Sequence, residues 1–306
     1  MPLDPDIAAI VELMGAMELP PMSEVTPEMA RQMFDSTPGP PPDSVTEVTD
    51  RTLAGPSGPV AVRTYRPSEE ASLPVVAFFH GGGWVTSSVE GHDSMARRIA
   101  VNSGALVVSV DYRLAPEDPF PAAADDCWAA TAWLAEKAGA WGGDPDRLAV
   151  CGDSAGGNLA ASVALRAREH GLVLALQALI YPCNEDRQGD YASMVDNGSG
   201  LFLEAETMKW FWDHYVPAAS RDDPLAVPAR AESLEGVAPA LVQVAEYDPL
   251  RDEGTAYADR LREAGVATEF ICYPGVVHGF ASMWHVSSRA EAAHHDLAAA
   301  LQRAFS

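Results

Sequence analysis

The chain has 306 residues, 47% hydrophobic and 21% charged, the proportions of a folded protein with a sizeable core. Its formal net charge of −24 argues against nucleic acid and anionic lipid as partners, since both would repel it. No apolar run reaches the roughly 18 residues of a membrane span, and no basic segment leads into an apolar one at the start, so a cytoplasmic protein is expected. Only Lys137 and Lys209 are lysines; arginine carries the rest of the positive charge. Cys127, Cys151, Cys183 and Cys272 have no C-x-x-C spacing, which speaks against zinc and predicts reduced, buried thiols.

Residues 1–37 read as amphipathic helix, with Ile7, Ile10, Val11, Met14 and Met17 at three-to-four spacing. The proline-rich stretch Pro38–Pro42 reads as a stiff linker. Beyond it, Val60–Tyr65 alternates as a strand and Leu73–Phe79 is a continuous apolar run, the mark of a strand buried on both faces. Helices over 92–102, 121–138, 154–170, 251–264 and 288–304 alternate with strands at 106–110, 147–151, 174–180, 239–245 and 268–273. That rhythm predicts an α/β fold with a mainly parallel sheet covered on both faces. Residues 183–230 break it with polar turns and one aromatic helix, Glu204–Tyr215, and read as an insertion above the sheet. The expected organisation is an α/β domain from 45–182 and 231–306, with 1–44 and 183–230 together placed to form a lid.

Gly152-Asp153-Ser154-Ala155-Gly156 matches G-x-S-x-G between a strand and a helix, where a tight turn needs small neighbours and exposes the serine. Read without that context, Ser154 is equally a helix cap in a glycine-rich turn. His80-Gly81-Gly82-Gly83-Trp84 ends the buried strand at 79, and its glycines allow backbone N–H groups to point into a cavity. Gly82 and Gly83, with Ala155, are the candidate donors to an oxyanion. A phosphate-binding turn is the alternative, but no G-x-G-x-x-G or following Lys-Ser/Thr supports it.

A serine triad on this architecture runs Ser, acid, His. Asp248 follows the strand ending at 245 and His278 follows the strand ending at 273, which gives Ser154, Asp248 and His278 as the catalytic candidates. His80 is expected to hold the glycine loop, and Asp153 to face away from the base. Asp252 and Glu253 read as charges at a helix start. Such a triad performs acyl transfer without a cofactor or metal. Trp84, Leu201, Phe202, Trp210, Phe211 and Phe280 are candidate pocket walls, although for any single one of them core packing comes ahead of substrate contact.

Taken together with Asp111-Tyr112-Arg113-Leu114-Ala115-Pro116-Glu117, Asp248-Pro249-Leu250-Arg251-Asp252-Glu253-Gly254 and His278-Gly279-Phe280, these motifs resemble the hormone-sensitive-lipase-like, bacterial family IV esterases of the α/β-hydrolase superfamily. The resemblance covers 45–304. It implies an eight-stranded, mostly parallel sheet, a helical cap, short-to-medium acyl esters as substrates and frequent homodimers. An amidase or deacetylase on the same triad is the alternative activity. A non-catalytic small-molecule receptor on this fold is a further one, opposed by the presence of His278.

Overall fold

The computed structural model describes residues 2–17, 20–35, 39–187 and 191–306. Eight strands form one sheet in the order β1-β2-β4-β3-β5-β6-β7-β8. β1 (Glu47–Gly55) and β2 (Gly58–Arg66) make an antiparallel hairpin, and β2 runs antiparallel to β4 (Leu106–Asp111). From β4 onward, β3 (Leu73–Phe79), β5 (Gly143–Asp153), β6 (Gln177–Ile180), β7 (Ala240–Tyr247) and β8 (Thr268–Val277) are all parallel.

Alternation along β3 divides the core in two. Val75, Ala77 and Phe79 join one cluster with α4 (Ala122–Lys137), α5 (Ala155–His170) and α8 (Arg251–Glu263). Val76 and Phe78 join the other with α3 (Asp93–Ser103) and α9 (Ser288–Ala304). β3 is therefore covered on both faces, as its unbroken apolar run predicts.

The ends of the chain differ from the sequence expectation. The first helical stretch is two helices, α1 (Pro5–Gly15) and α2 (Pro27–Asp35), with a 3-10 turn at Met22–Glu24 between them. Pro20 and Pro21 lie just before that turn, where a continuous helix would need their missing N–H groups. Ile7 is fully buried against the second cluster, whereas Met17 is exposed. Pro38 lies outside the described residues, and 39–42 carry no regular structure. β1 was not foreseen, because as the outer strand of the sheet it buries a single residue, Leu53, and shows little apolar alternation. Residues 183–230 add no strand among the described residues; they hold α6 (Ala192–Asp196) and α7 (Ala205–Tyr215). Among the described residues no helix is long and apolar enough to cross a membrane. The cysteine expectation holds for Cys127, Cys151 and Cys183, but Cys272, on the outer strand β8, is exposed.

Parallel strands bring their C-terminal ends to one edge, where the loop at 80–86, Ser154, Asp248 and His278 all emerge. Two glycines make that edge compact: a Cβ on Gly156 would stand 1.9 Å from the Phe79 carbonyl oxygen, and one on Gly152 would stand 2.2 Å from that of Gly156. Both obstacles are backbone, so neither can rotate away. Gly156→Ala is expected to cost about 3 kcal/mol or more, at the upper end of overpacking penalties. Gly139→Ala, with open space around its Cβ, should stay within about 1 kcal/mol of the wild type. Urea midpoints of the two variants check this; equal midpoints would contradict the close-approach argument.

Candidate active site

Ser154 joins β5 to α5 with φ 55 and ψ −118, a conformation a side chain adopts only where its surroundings enforce it. Its N–H is held by the Ile180 carbonyl at 2.8 Å. The sharp turn lifts the hydroxyl clear of the strand, and Ser154 Oγ lies 2.9 Å from His278 Nε2. His278 Nδ1 lies 2.8 Å from Asp248 Oδ2. The carboxylate fixes the proton on Nδ1 and leaves Nε2 as the acceptor for the serine hydroxyl. Asp248 is fully buried, and its second oxygen accepts the Leu250 N–H at 2.8 Å. The three residues predicted from chain order thus form one hydrogen-bonded line.

Gly81, Gly82, Gly83 and Trp84 turn sharply after β3, the last three with φ of 110, 60 and 59. Asp153 Oδ1 accepts the Gly81 N–H at 2.9 Å, so the residue before Ser154 grips the glycine loop directly. Asp153 also lies 3.3 Å from His92 Nε2, and His92 Nδ1 is 2.9 Å from Ser87 Oγ. Burial works to raise the Asp153 carboxyl, but His92, His80 and the Gly81 N–H outweigh it and hold it below the usual carboxylate range. His80 Nδ1 donates to the Gly81 carbonyl at 2.7 Å, while the Tyr112 hydroxyl donates to the His80 carbonyl at 2.7 Å. Burial first, and His92 second, push the His80 imidazole down to about 3, so it stays neutral. Among the described residues, neither the Gly82 nor the Gly83 N–H meets a protein acceptor.

Residues 76–282 match the family described as having the alpha/beta hydrolase fold. The chain belongs to the α/β-hydrolase family. Its motifs place it in the hormone-sensitive-lipase-like branch, as the sequence resemblance predicts. Carboxylic ester hydrolase LipN of Mycobacterium tuberculosis is 40% identical over 89% of this chain and 74% of its own length. Ethyl acetate hydrolase of Pseudomonas putida is 38% identical over 95% of this chain and 96% of its own length. Among solved structures, a thermostable esterase from Pseudomonas putida ECU1011 superposes with TM-score 0.96 at 37% identity, covering 100% of this chain and 98% of that one.

Within this α/β hydrolase, the segment 183–230 braces the turn that carries Asp248. Asn197 Nδ2 lies 3.3 Å from both the Glu246 and Asp248 carbonyls. The Ser193 N–H and hydroxyl donate to Asp252 Oδ2 and the Pro249 carbonyl, at 2.8 and 2.7 Å. Glu253 lies in the first turn of α8, as predicted, and has a second role there. It is buried, and its Oε1 accepts the N–H groups of Asn184 at 2.8 Å and Glu185 at 3.3 Å. Burial pushes its carboxyl well above the ordinary range. Burial first, then nearby Glu253 and Asp248, also pushes the Cys183 thiol up, which keeps it protonated.

The candidate pocket walls separate. Phe211 lies flat against Gly83, with ring carbons 2.1–2.4 Å from where a Cβ would stand. Phe202 lies against Gly279, next to His278, at 3.1 Å from the equivalent position, and it is 39% exposed. Trp210 lies tilted against His214 and meets Phe211 edge-on, and Leu201 packs against the second core cluster. Trp84 and Phe280 are fully buried: Trp84 stacks on Tyr215 at 4.3 Å, and Phe280 meets Tyr181 and Tyr273. Sequence reasoning gave no role to Thr86, His92, Tyr112 or Asn197. Of these only Tyr112 lay in a quoted motif.

Glu253 yields a pH-dependent expectation. A carboxyl whose folded value is raised above 4.5 contributes stability that is present below that value and is lost as pH rises through the folded one. Glutamine keeps the accepting oxygen and cannot ionise. The melting temperature of Glu253→Gln, relative to wild type, should therefore climb from pH 5 to pH 8. A difference that shrinks over that range would show the carboxyl to be ionised in the folded protein.

Proposed function

We propose that this protein is a serine carboxylesterase acting on short-to-medium-chain esters, with Ser154 as nucleophile, His278 as general base and acid, and Asp248 orienting the imidazole. The observation that carries this reading is the unbroken line Ser154 Oγ–His278 Nε2 at 2.9 Å and His278 Nδ1–Asp248 Oδ2 at 2.8 Å. The hydroxyl proton passes to Nε2 as Oγ bonds to the ester carbon and the carbonyl electron pair moves onto oxygen. Asp248 stabilises the imidazolium so formed. Collapse of the adduct breaks the bond to the alkoxy group, which leaves as the alcohol with the proton from Nε2. Water then repeats the sequence on the acyl-enzyme and releases the acid.

The N–H groups of Gly82, Gly83 and Ala155 are assigned to the developing oxyanion. The unpartnered state of the Gly82 and Gly83 donors supports this, as does the position of Ala155 in the first turn of α5. Preference for small esters is supported by relatives named ethyl acetate hydrolase and, in Saccharolobus solfataricus, arylesterase.

Residues 1–44 and 183–230 are proposed to form the cap over the catalytic domain of 45–182 and 231–306. Arg31 on α2 supports this placement. It donates to the Val85 and Ala115 carbonyls at 2.8 and 2.9 Å and forks onto Glu117, tying the N-terminal part to the end of the glycine loop. Phe211 from the other part closes on Gly83. Such a roof limits the room beside the serine and favours acyl groups shorter than those of storage lipids.

Ser154→Ala should lower ester turnover by about 10⁶-fold, and Asp248→Asn by about 10⁴-fold, if these side chains act as in other serine hydrolases. Initial rates on acetyl, butyryl, octanoyl and palmitoyl p-nitrophenyl esters, beside an acetyl anilide, check activity and acyl preference together. Near-normal turnover by Ser154→Ala would sink the mechanism. Equal rates on acetyl and palmitoyl esters would sink the size preference, and faster anilide than ester cleavage would make the enzyme an amidase.

A further inference from the structure

Each proposed oxyanion donor in the glycine loop is one end of a peptide unit whose other end is a carbonyl. The Gly82 N–H shares its peptide with the Gly81 carbonyl, which receives His80 Nδ1 at 2.7 Å. The Gly83 N–H shares its peptide with the Gly82 carbonyl. That oxygen receives three donors: the Thr86 hydroxyl at 2.8 Å, the Thr86 N–H at 2.9 Å and the Val85 N–H at 3.2 Å. A hydrogen bond at the carbonyl end polarises the peptide and makes the N–H at the opposite end a stronger donor. Thr86 is fully buried, so its hydroxyl does not turn to water instead of the Gly82 carbonyl. Gly82 has φ 110, and a Cβ on it would stand 2.3 Å from the Thr86 carbonyl oxygen. The Thr86 hydroxyl thus closes a turn that only glycine can make.

We propose that Thr86 is a positioning residue of the esterase reaction: its hydroxyl polarises and orients the Gly82–Gly83 peptide so that the Gly83 N–H binds the oxyanion more strongly. The inference rests on the serine-esterase reading above and adds a residue to it. Thr86 touches neither substrate nor triad; it acts through one peptide bond.

The size of the effect follows from two general magnitudes. Removing one oxyanion donor costs about 10²–10³ in kcat. Cooperative polarisation changes a hydrogen bond by roughly 10–30%. That fraction of the donor's contribution corresponds to roughly two- to eight-fold in kcat. The effect belongs to the transition state, because a neutral ester carbonyl draws far less on the donor than an oxyanion does.

The test uses the full chain with Thr86→Val, which keeps the shape and the backbone N–H but removes the hydroxyl, with Thr86→Ala as a second hydroxyl-free variant and Thr86→Ser as the rescue. On p-nitrophenyl acetate, Val and Ala should lower kcat roughly two- to eight-fold with KM unchanged, and Ser should restore it. The inhibition constant of a trifluoromethyl ketone, which forms an oxyanion on the nucleophile, should rise in the same proportion as kcat falls. Unchanged kcat in both hydroxyl-free variants overturns the proposal, and so does a loss shared equally by Thr86→Ser. A rise in KM alone does the same. Ser154→Ala run alongside separates the two levels: if it is silent while Thr86→Val is normal, only the role of Thr86 falls; if it stays active, the serine mechanism itself falls.

Discussion

A carboxylate buried one residue before the serine is the constraint on which the rest of the site depends. Asp153 ends β5, grips the Gly81 N–H at 2.9 Å and stands 3.3 Å from His92. Placing a carboxylate in the interior is costly unless donors surround it. Here those donors come from two different loops, so satisfying Asp153 brings the elbow and the glycine loop to a fixed separation. The geometry of the proposed oxyanion site is in this sense a by-product of solvating one buried charge. The same charge has a drawback, since a negative group behind the loop opposes a second negative oxygen in front of it. The polarised peptides at Gly81 and Gly82 are a physical answer, because they strengthen the donors without adding a formal charge.

Close backbone approach is how the elements around that carboxylate come together. Gly81 lets Asp153 in, Gly156 lets α5 lie against β3, Gly83 receives the Phe211 ring and Gly279 receives Phe202. Two of these contacts lie at the C-terminal edge of the sheet and two are made by residues of 183–230. Phe211 thus lies beside the loop proposed to hold the oxyanion, and Phe202 beside Gly279, the residue after His278.

How far the sequence could be read depended on how strongly burial imprints a pattern. β3 is enclosed on both faces and announces itself as a continuous apolar run, and the elbow announces itself because its turn tolerates only small residues. β1 is an outer strand with one buried residue, so nothing in Glu47–Gly55 repeats with period two. Aromatic residues are ambiguous for a related reason. A ring that fills the core and a ring that lines a pocket are both apolar, and only packing separates buried Trp84 and Phe280 from half-exposed Phe202. Glu253 stands in the first turn of its helix as read, but its role as the acceptor for two backbone N–H groups of a distant segment was not foreseen. Partners so far apart in sequence leave no local trace.

The scarcity of lysine acquires a structural meaning once the insertion's contacts are followed. Arg31 serves two carbonyls and one carboxylate at once. Arg230 reaches Glu185, Asp186, Asp222 and the Arg221 carbonyl, and Arg260 reaches the carbonyls of Ala229 and Ala231. A guanidinium presents five donors in a rigid fork, whereas an ammonium is a single point charge on a flexible stem. Segments with little regular structure, such as those on either side of α7, leave many carbonyls without partners in their own chain region. Arginine can satisfy several of them from one position while also neutralising neighbouring carboxylates in a strongly acidic protein. These forks add to the apolar burial of Met208, Phe211, Trp212 and Tyr215 in ordering the proposed cap. Arg31 carries that order to the Val85 carbonyl, one residue before Thr86 and the turn that presents the Gly83 N–H.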